Sequence, residues 1–143
     1  MSEGEQLKPT PVADFYRRIE GITDFSEYLH LLVQEGISAL SQEQTTSERP
    51  EQTERRWVGT IGIWTAGILM GRKEAGLPNN PLLLSSMVHT VPRSLFQEFI
   101  VDEEIKRYVY EGLVLGLGIA EVIPSSAIIQ PLPQETVSNY FKS

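Results

Sequence analysis

Residues 57–71 read WVGTIGIWTAGILMG, an apolar run that carries four glycines and constrains the fold more than any other stretch. Each glycine inside a helix costs roughly 0.8–1.0 kcal/mol relative to alanine, so a helix that keeps four of them needs a compensating contact. The flanks nevertheless mark the run as helical. Pro50 suits a first helical turn, and Glu51 and Glu54 place negative charge at the positive end of the dipole. Arg72 and Lys73 stand at the other end, Gly76 can cap it, and Pro78 prevents continuation. Together they predict one helix from about Pro50 to Ala75.

At about 100° per residue, Trp57, Ile61, Trp64 and Ile68 share one helical face, while Gly59, Gly62 and Ala66 fall opposite. Gly67 and Gly71 make a second small pair on a flank, and Gly112 and Gly116 repeat the four-residue spacing near the end of the chain. Small residues allow two backbones to approach closely and gain dispersion contacts. The expectation is a helix-packing seam drawn from Gly59, Gly62, Ala66, Gly67, Gly71, Gly112 and Gly116. Closure within one chain is the first reading, and closure across the two-fold axis of a homodimer the second.

A membrane span is the competing explanation. The run has 15 residues, short of the roughly 20 needed to span, and Glu111 and Glu121 interrupt the later apolar stretch. A net charge of −7 also disfavours attachment to anionic lipid. No membrane partner is expected.

The rest of the chain reads as further helices. Thr10 and Pro11 open PVADFYRRIE, which Gly21 ends. Asp24 with Glu27 opens another, in which Phe25, Tyr28, Leu29, Leu32, Val33, Ile37 and Leu40 recur at helical steps. Residues 41–50 form an exposed polar loop. Asn80 and Pro81 open a helix expected to stop before Pro92, and Ser94 with Gln97 starts the next. That pattern reaches Ile119, with a break near Asp102. Residues 1–9 are expected to be flexible, and 124–143, with three prolines, to form an extended arm. The fold class is therefore all-α: a single helical domain across 1–143, a compact bundle of about five helices around the glycine-rich one. The alternative is α+β, with strands around 107–123, because YVYEGLVLGLGIAEVI also suits strands.

Chemistry is sparse. The chain has no cysteine and two histidines, which removes disulfides, thiolate metal sites and cysteine nucleophiles. Glu27 and His30 make one E-x-x-H pair, where a carboxylate-bridged di-metal bundle needs two. GLVLGLG, Gly112 to Gly118, lacks the lysine and hydroxyl residue of a phosphate loop. Ser85, Ser86, Ser125 and Ser126 lie in no nucleophile elbow. No metal, cofactor or catalytic residue is predicted.

With 12 basic against 19 acidic side chains, nucleic acid is not an expected partner. The N-terminus has no signal pattern, so a cytoplasmic location is expected. Glu111 and Glu121 are expected to meet solvent or an arginine such as Arg55, Arg72 or Arg107. Glu103 and Arg107 are expected to pair on a solvated face.

Two functional classes follow. The first is a protein–protein interaction or regulatory module that self-associates. The second is a binding module or enzyme with an apolar inter-helix pocket, walled by Trp57, Trp64, Tyr108 and Tyr110, in which Glu111 or His89 orients a small ligand.

Overall fold

The computed structural model describes residues 10–99 and 101–122. The expectations for residues 1–9 and 124–143 lie outside the described residues. Helix α1 spans Pro11–Ile19 and α2 spans Phe25–Leu31. A π-helical turn, Leu32–Gly36, carries α2 directly into α3, Ile37–Gln42. Helices α4 (Pro50–Glu74), α5 (Pro81–Glu98) and α6 (Glu103–Ile119) complete an all-α bundle of five rods, α2 and α3 forming one of them. The strands considered around 107–123 are absent among the described residues, where α6 occupies that stretch to Ile119.

Local chemistry explains most of the helix starts. The Thr10 hydroxyl accepts from the Ala13 N–H at 3.1 Å, the Asp24 carboxylate from Ser26 at 3.0 Å, and the Asn80 side chain from Leu83 at 3.0 Å. Each satisfies an orphan donor of a first turn. Gln52 reaches back to the Arg49 N–H at 2.9 Å and does the same at the start of α4. Gly76 ends α4 at φ +78, with the Leu77 N–H returning to the Arg72 carbonyl at 2.8 Å. Glu121 ends α6 in the same left-handed region at φ 64, where a glycine would be less strained.

One sequence expectation is corrected here. Helix α5 does not stop before Pro92 but runs through it to Glu98, so Ser94 and Gln97 lie inside a helix rather than at its start. Leu84, Val88, Pro92, Leu95 and Phe96 are buried on both sides of the proline, and burying that continuous apolar face offsets the missing hydrogen bond. Residues 41–50 are mostly exposed, and two of their carboxylates tie them to the bundle. The Glu43 carboxylate accepts from the Val12 N–H at 2.7 Å, and Glu48 pairs with Arg56 at 2.8 and 3.0 Å. That guanidinium holds the Glu48 carboxyl below its ordinary range.

The α4–α6 pair is the spine of the bundle. Arg107 meets Glu54, Leu115 lies against Gly62, and Gly116 lies against Thr65. Residue numbers rise together along both helices, so they run parallel, and α5 carries the chain back between them. Trp57, Ile61, Trp64 and Ile68 are all buried, as are Val109, Leu113 and Leu117 of α6. No helix among the described residues is long and apolar enough to cross a membrane.

Candidate functional site

Three features of the spine bear on function. The first is the seam between α4 and α6. A Cβ added at Gly112 would lie 2.6 Å from the Ile61 Cβ, and one added at Gly116 would strike the Thr65 side chain and lie 2.9 Å from the Gly62 carbonyl oxygen. A Cβ at Gly62 would meet Leu115 at 2.7 Å. These three glycines bring the backbones together within one chain.

The other seam candidates separate from them. Ala66 is buried, but an added Cβ at Gly59, Gly67 or Gly71 would meet nothing within 4 Å. Their place outside the α4–α6 contact has a geometric cause. Gly67 and Gly71 lie roughly 160° around the helix from the residues facing α6, and Gly59 points past its edge.

Behind the seam sits a buried polar chain. Thr65 donates to the Ile61 carbonyl at 2.7 Å, which leaves its oxygen to accept from the Tyr28 hydroxyl, also at 2.7 Å. Burial pushes the Tyr28 phenol up, with Thr65 pulling the other way. The chain links α2 to the spine through groups that would be costly to bury singly.

The second feature is a charged cluster at the N-terminal ends of α4 and α6. Arg107 donates to Glu54 at 2.9 Å and to Glu111 at 3.1 Å, so one guanidinium serves two carboxylates. Glu111 is 6% exposed. Burial raises its pKa above the ordinary carboxyl range; Arg107 opposes that shift and Glu54 adds to it. The expected Glu103–Arg107 pair is replaced. Glu103 binds Lys106 at 3.0 Å instead, because Arg107 turns inward to the two carboxylates on the spine. Trp57 and Tyr108 pack beside the cluster with ring centroids 5.9 Å apart. The Trp57 indole N–H is buried and finds no hydrogen-bond partner among the described residues.

The remaining pocket candidates do not join this group. His89 and Tyr110 pack together at 6.4 Å between α5 and α6, next to Phe96. Burial, then Arg93, lowers the His89 pKa. Trp64 packs against Phe15 of α1 in a tilted arrangement with ring centroids 4.6 Å apart. Trp57, Trp64 and Tyr108 thus belong to one hydrophobic core, with Tyr110 packed against it, and the ring contacts described lie at three places along it. His30 contacts the Ser26 carbonyl at 2.8 Å through Nδ1, and no set of three or more metal-ligating side chains comes together among the described residues.

The third feature is the outer side of α4, which the sequence reading did not single out as a surface. Ile63 is 63% exposed and Met70 49% exposed. With Gly59 and Gly67 they form one stripe. Beside it, a groove of about 330 Å³ opens over Gly67 and Gly71, between α4 and the end of α1. Tyr16, Ile22 and Trp64 wall it. Arg72 fixes its far end by donating to the Thr23 carbonyl at 2.6 Å, the Pro78 carbonyl at 2.7 Å and Asn79 at 2.9 Å. Arg72 thus meets neither Glu111 nor Glu121 in these bonds, and Glu121 is exposed.

No protein-family model matches the chain, and neither a curated protein nor a solved structure matches it. The functional reading therefore rests on geometry alone.

Proposed function

We propose that this protein is a helical interaction module that self-associates through the outer face of α4. The observation that carries the proposal is the pairing of Ile63 and Met70, exposed in mid-helix, with Gly59 and Gly67, whose added Cβ atoms would meet nothing. The seam glycines are repaid by contacts inside the chain, whereas these two are not. A second helix seated across the stripe would recover their cost through close backbone approach and would cover two apolar side chains. A two-fold pairing of the same face in two copies is the commonest way to arrange this.

Size-exclusion chromatography with light scattering tests the proposal across a wide concentration range. A dimer that becomes monomeric in Ile63→Lys and Met70→Lys, both still helical by circular dichroism, is the expected result. A wild-type chain that stays monomeric throughout would overturn it.

A further inference from the structure

The groove between α1 and α4 has the composition of a small-ligand site with a defined sign of charge. Its volume of about 330 Å³ stands at the low end of the roughly 300–1,000 Å³ typical of small-molecule pockets. Tyr16, Ile22 and Trp64 wall it, and Gly67 and Gly71 leave its floor open, because an added Cβ at either would meet no atom. Tyr16 is 47% exposed, so part of its ring can still be covered by a ligand. Arg72 closes one end through its bonds to the Thr23 and Pro78 carbonyls and to Asn79. A short groove closed at one end suits one ring with a short arm better than a length of peptide.

Charge decides what the arm must carry. The two acids lining the groove, Glu20 and Glu74, are exposed and join no ion pair among the described residues. Helix α1 ends at Ile19 and α4 at Glu74, both in the groove wall, so the negative ends of two helix dipoles meet there. The basic residues of those last turns face elsewhere. Arg17 pairs with Asp14 and Arg18 with Glu35, and neither Arg72 nor Lys73 lines the groove. Arg72 at the closed end leaves one positive charge against two carboxylates. Apolar walls favour an organic cation over a hydrated metal ion, and no three metal-ligating side chains assemble among the described residues.

We propose that the groove binds a small aromatic ammonium ion, its ring against Tyr16, Ile22 and Trp64 and its N–H groups on the carboxylates of Glu20 and Glu74. Covering the ring supplies attraction, and the charge-assisted hydrogen bonds supply selectivity. A cation beside the exposed Tyr16 ring gains further from the π face. The site does not depend on self-association, which concerns the neighbouring stripe of Ile63 and Met70.

Calorimetric titration of the dilute full-length chain with 2-phenylethylammonium, 2-phenylethanol and 3-phenylpropionate tests the assignment. The three probes share a ring and a short arm and differ chiefly in charge. The ammonium is expected to bind at least about tenfold more tightly than the alcohol, and the carboxylate more weakly than either. In proton NMR spectra the Trp64 indole N–H signal should shift with the ammonium. That of Trp57, which packs on Tyr108 and does not line the groove, should stay in place. Glu20→Gln with Glu74→Gln should bring the ammonium down to the level of the alcohol. Gly71→Leu, which fills the groove in a chain still helical by circular dichroism, should abolish binding of both. Absence of ammonium binding, equal affinity for ammonium and alcohol, or a shift at Trp57 alone would overturn the proposal. So would binding that survives Gly71→Leu. Binding that disappears once the chain is concentrated enough to self-associate would give the groove to a second copy and overturn it as well.

Discussion

The two sides of α4 use glycine for different reasons. Toward α6, Gly62 faces Leu115, and the partner helix answers with Gly112 and Gly116, so the missing side chains are filled by neighbouring atoms. On the outer side Gly59, Gly67 and Gly71 stand over open space. The same residue type, at nearly the same spacing, is a packing device on one side and an unfilled surface on the other. Counting glycines on a helical wheel cannot separate the two, because what distinguishes them is the position of a helix some 50 residues later in the chain.

The sharpest way to break this contrast is Gly116→Ala. The added methyl would strike the Thr65 side chain and the Gly62 carbonyl, and the backbone atom cannot swing aside. A loss of roughly 2–3 kcal/mol is expected in urea unfolding; an unchanged midpoint would mean the seam is looser than described.

Thr65→Val comes next, since it keeps the shape on the seam side but removes the hydroxyl between Tyr28 and the Ile61 carbonyl. Stranding the buried phenol should cost about 1–3 kcal/mol by the same measurement. A smaller loss in a Tyr28→Phe, Thr65→Val double variant than in Thr65→Val alone would confirm that the unmet hydroxyl is the cause.

Glu111→Gln probes the charged end of the seam. The folded-state pKa of Glu111 is raised, so in the pH window above its ordinary carboxyl value the folded chain binds more protons than the unfolded one. Its stabilising contribution is complete below the unfolded pKa and is lost as pH rises through the folded value. Stability of the wild type should therefore carry a component that declines with rising pH, which Glu111→Gln removes while staying within about 1 kcal/mol at low pH. Identical pH profiles for the two proteins would show that Arg107, shared with Glu54, cancels the effect of burial.

The smallest effect belongs to the outer side. Gly59→Ala and Gly67→Ala should each stabilise the isolated chain by about 0.4–1 kcal/mol, because the new methyl meets no atom and the unfolded chain loses freedom. The same substitutions should weaken self-association, so thermal midpoint and dimer affinity move in opposite directions. A glycine on this side that destabilises when replaced would erase the contrast.

Much of this architecture was legible locally. Thr10, Asp24, Pro50 and Asn80 announce their helices through side-chain oxygens or a ring that suit a first turn, and Gly21 and Gly76 take up the left-handed conformation their positions suggested. Pro92 misled because a local steric preference was outweighed by burial on both sides of it. The π turn at Leu32–Gly36 left no readable mark. A Cβ at Gly36 within it would lie 3.1 Å from the Phe15 ring, so the glycine leaves room for that ring. Arg107 was named as a partner for Glu111, but Glu54 was not, since nothing local ties residues so far apart. The exposed stripe escaped notice for a related reason. Ile63 and Met70 read as part of an all-apolar helix, and only the placement of α1 and α6 shows which side stays uncovered.

The parallel arrangement of α4 and α6 also has a consequence during synthesis. At about 5–20 residues per second, α6 leaves the ribosome roughly 3–10 seconds after α4. For that interval the apolar, glycine-lined side of α4 has no mate, and the seam must wait for a long loop to close. Arg55 and Arg56 before the run and Arg72 and Lys73 after it flank the segment with like charge. The basic pairs that bracket WVGTIGIWTAGILMG stand where gatekeeper charges are placed in natural sequences, beside a helix that is made well before the one it fits.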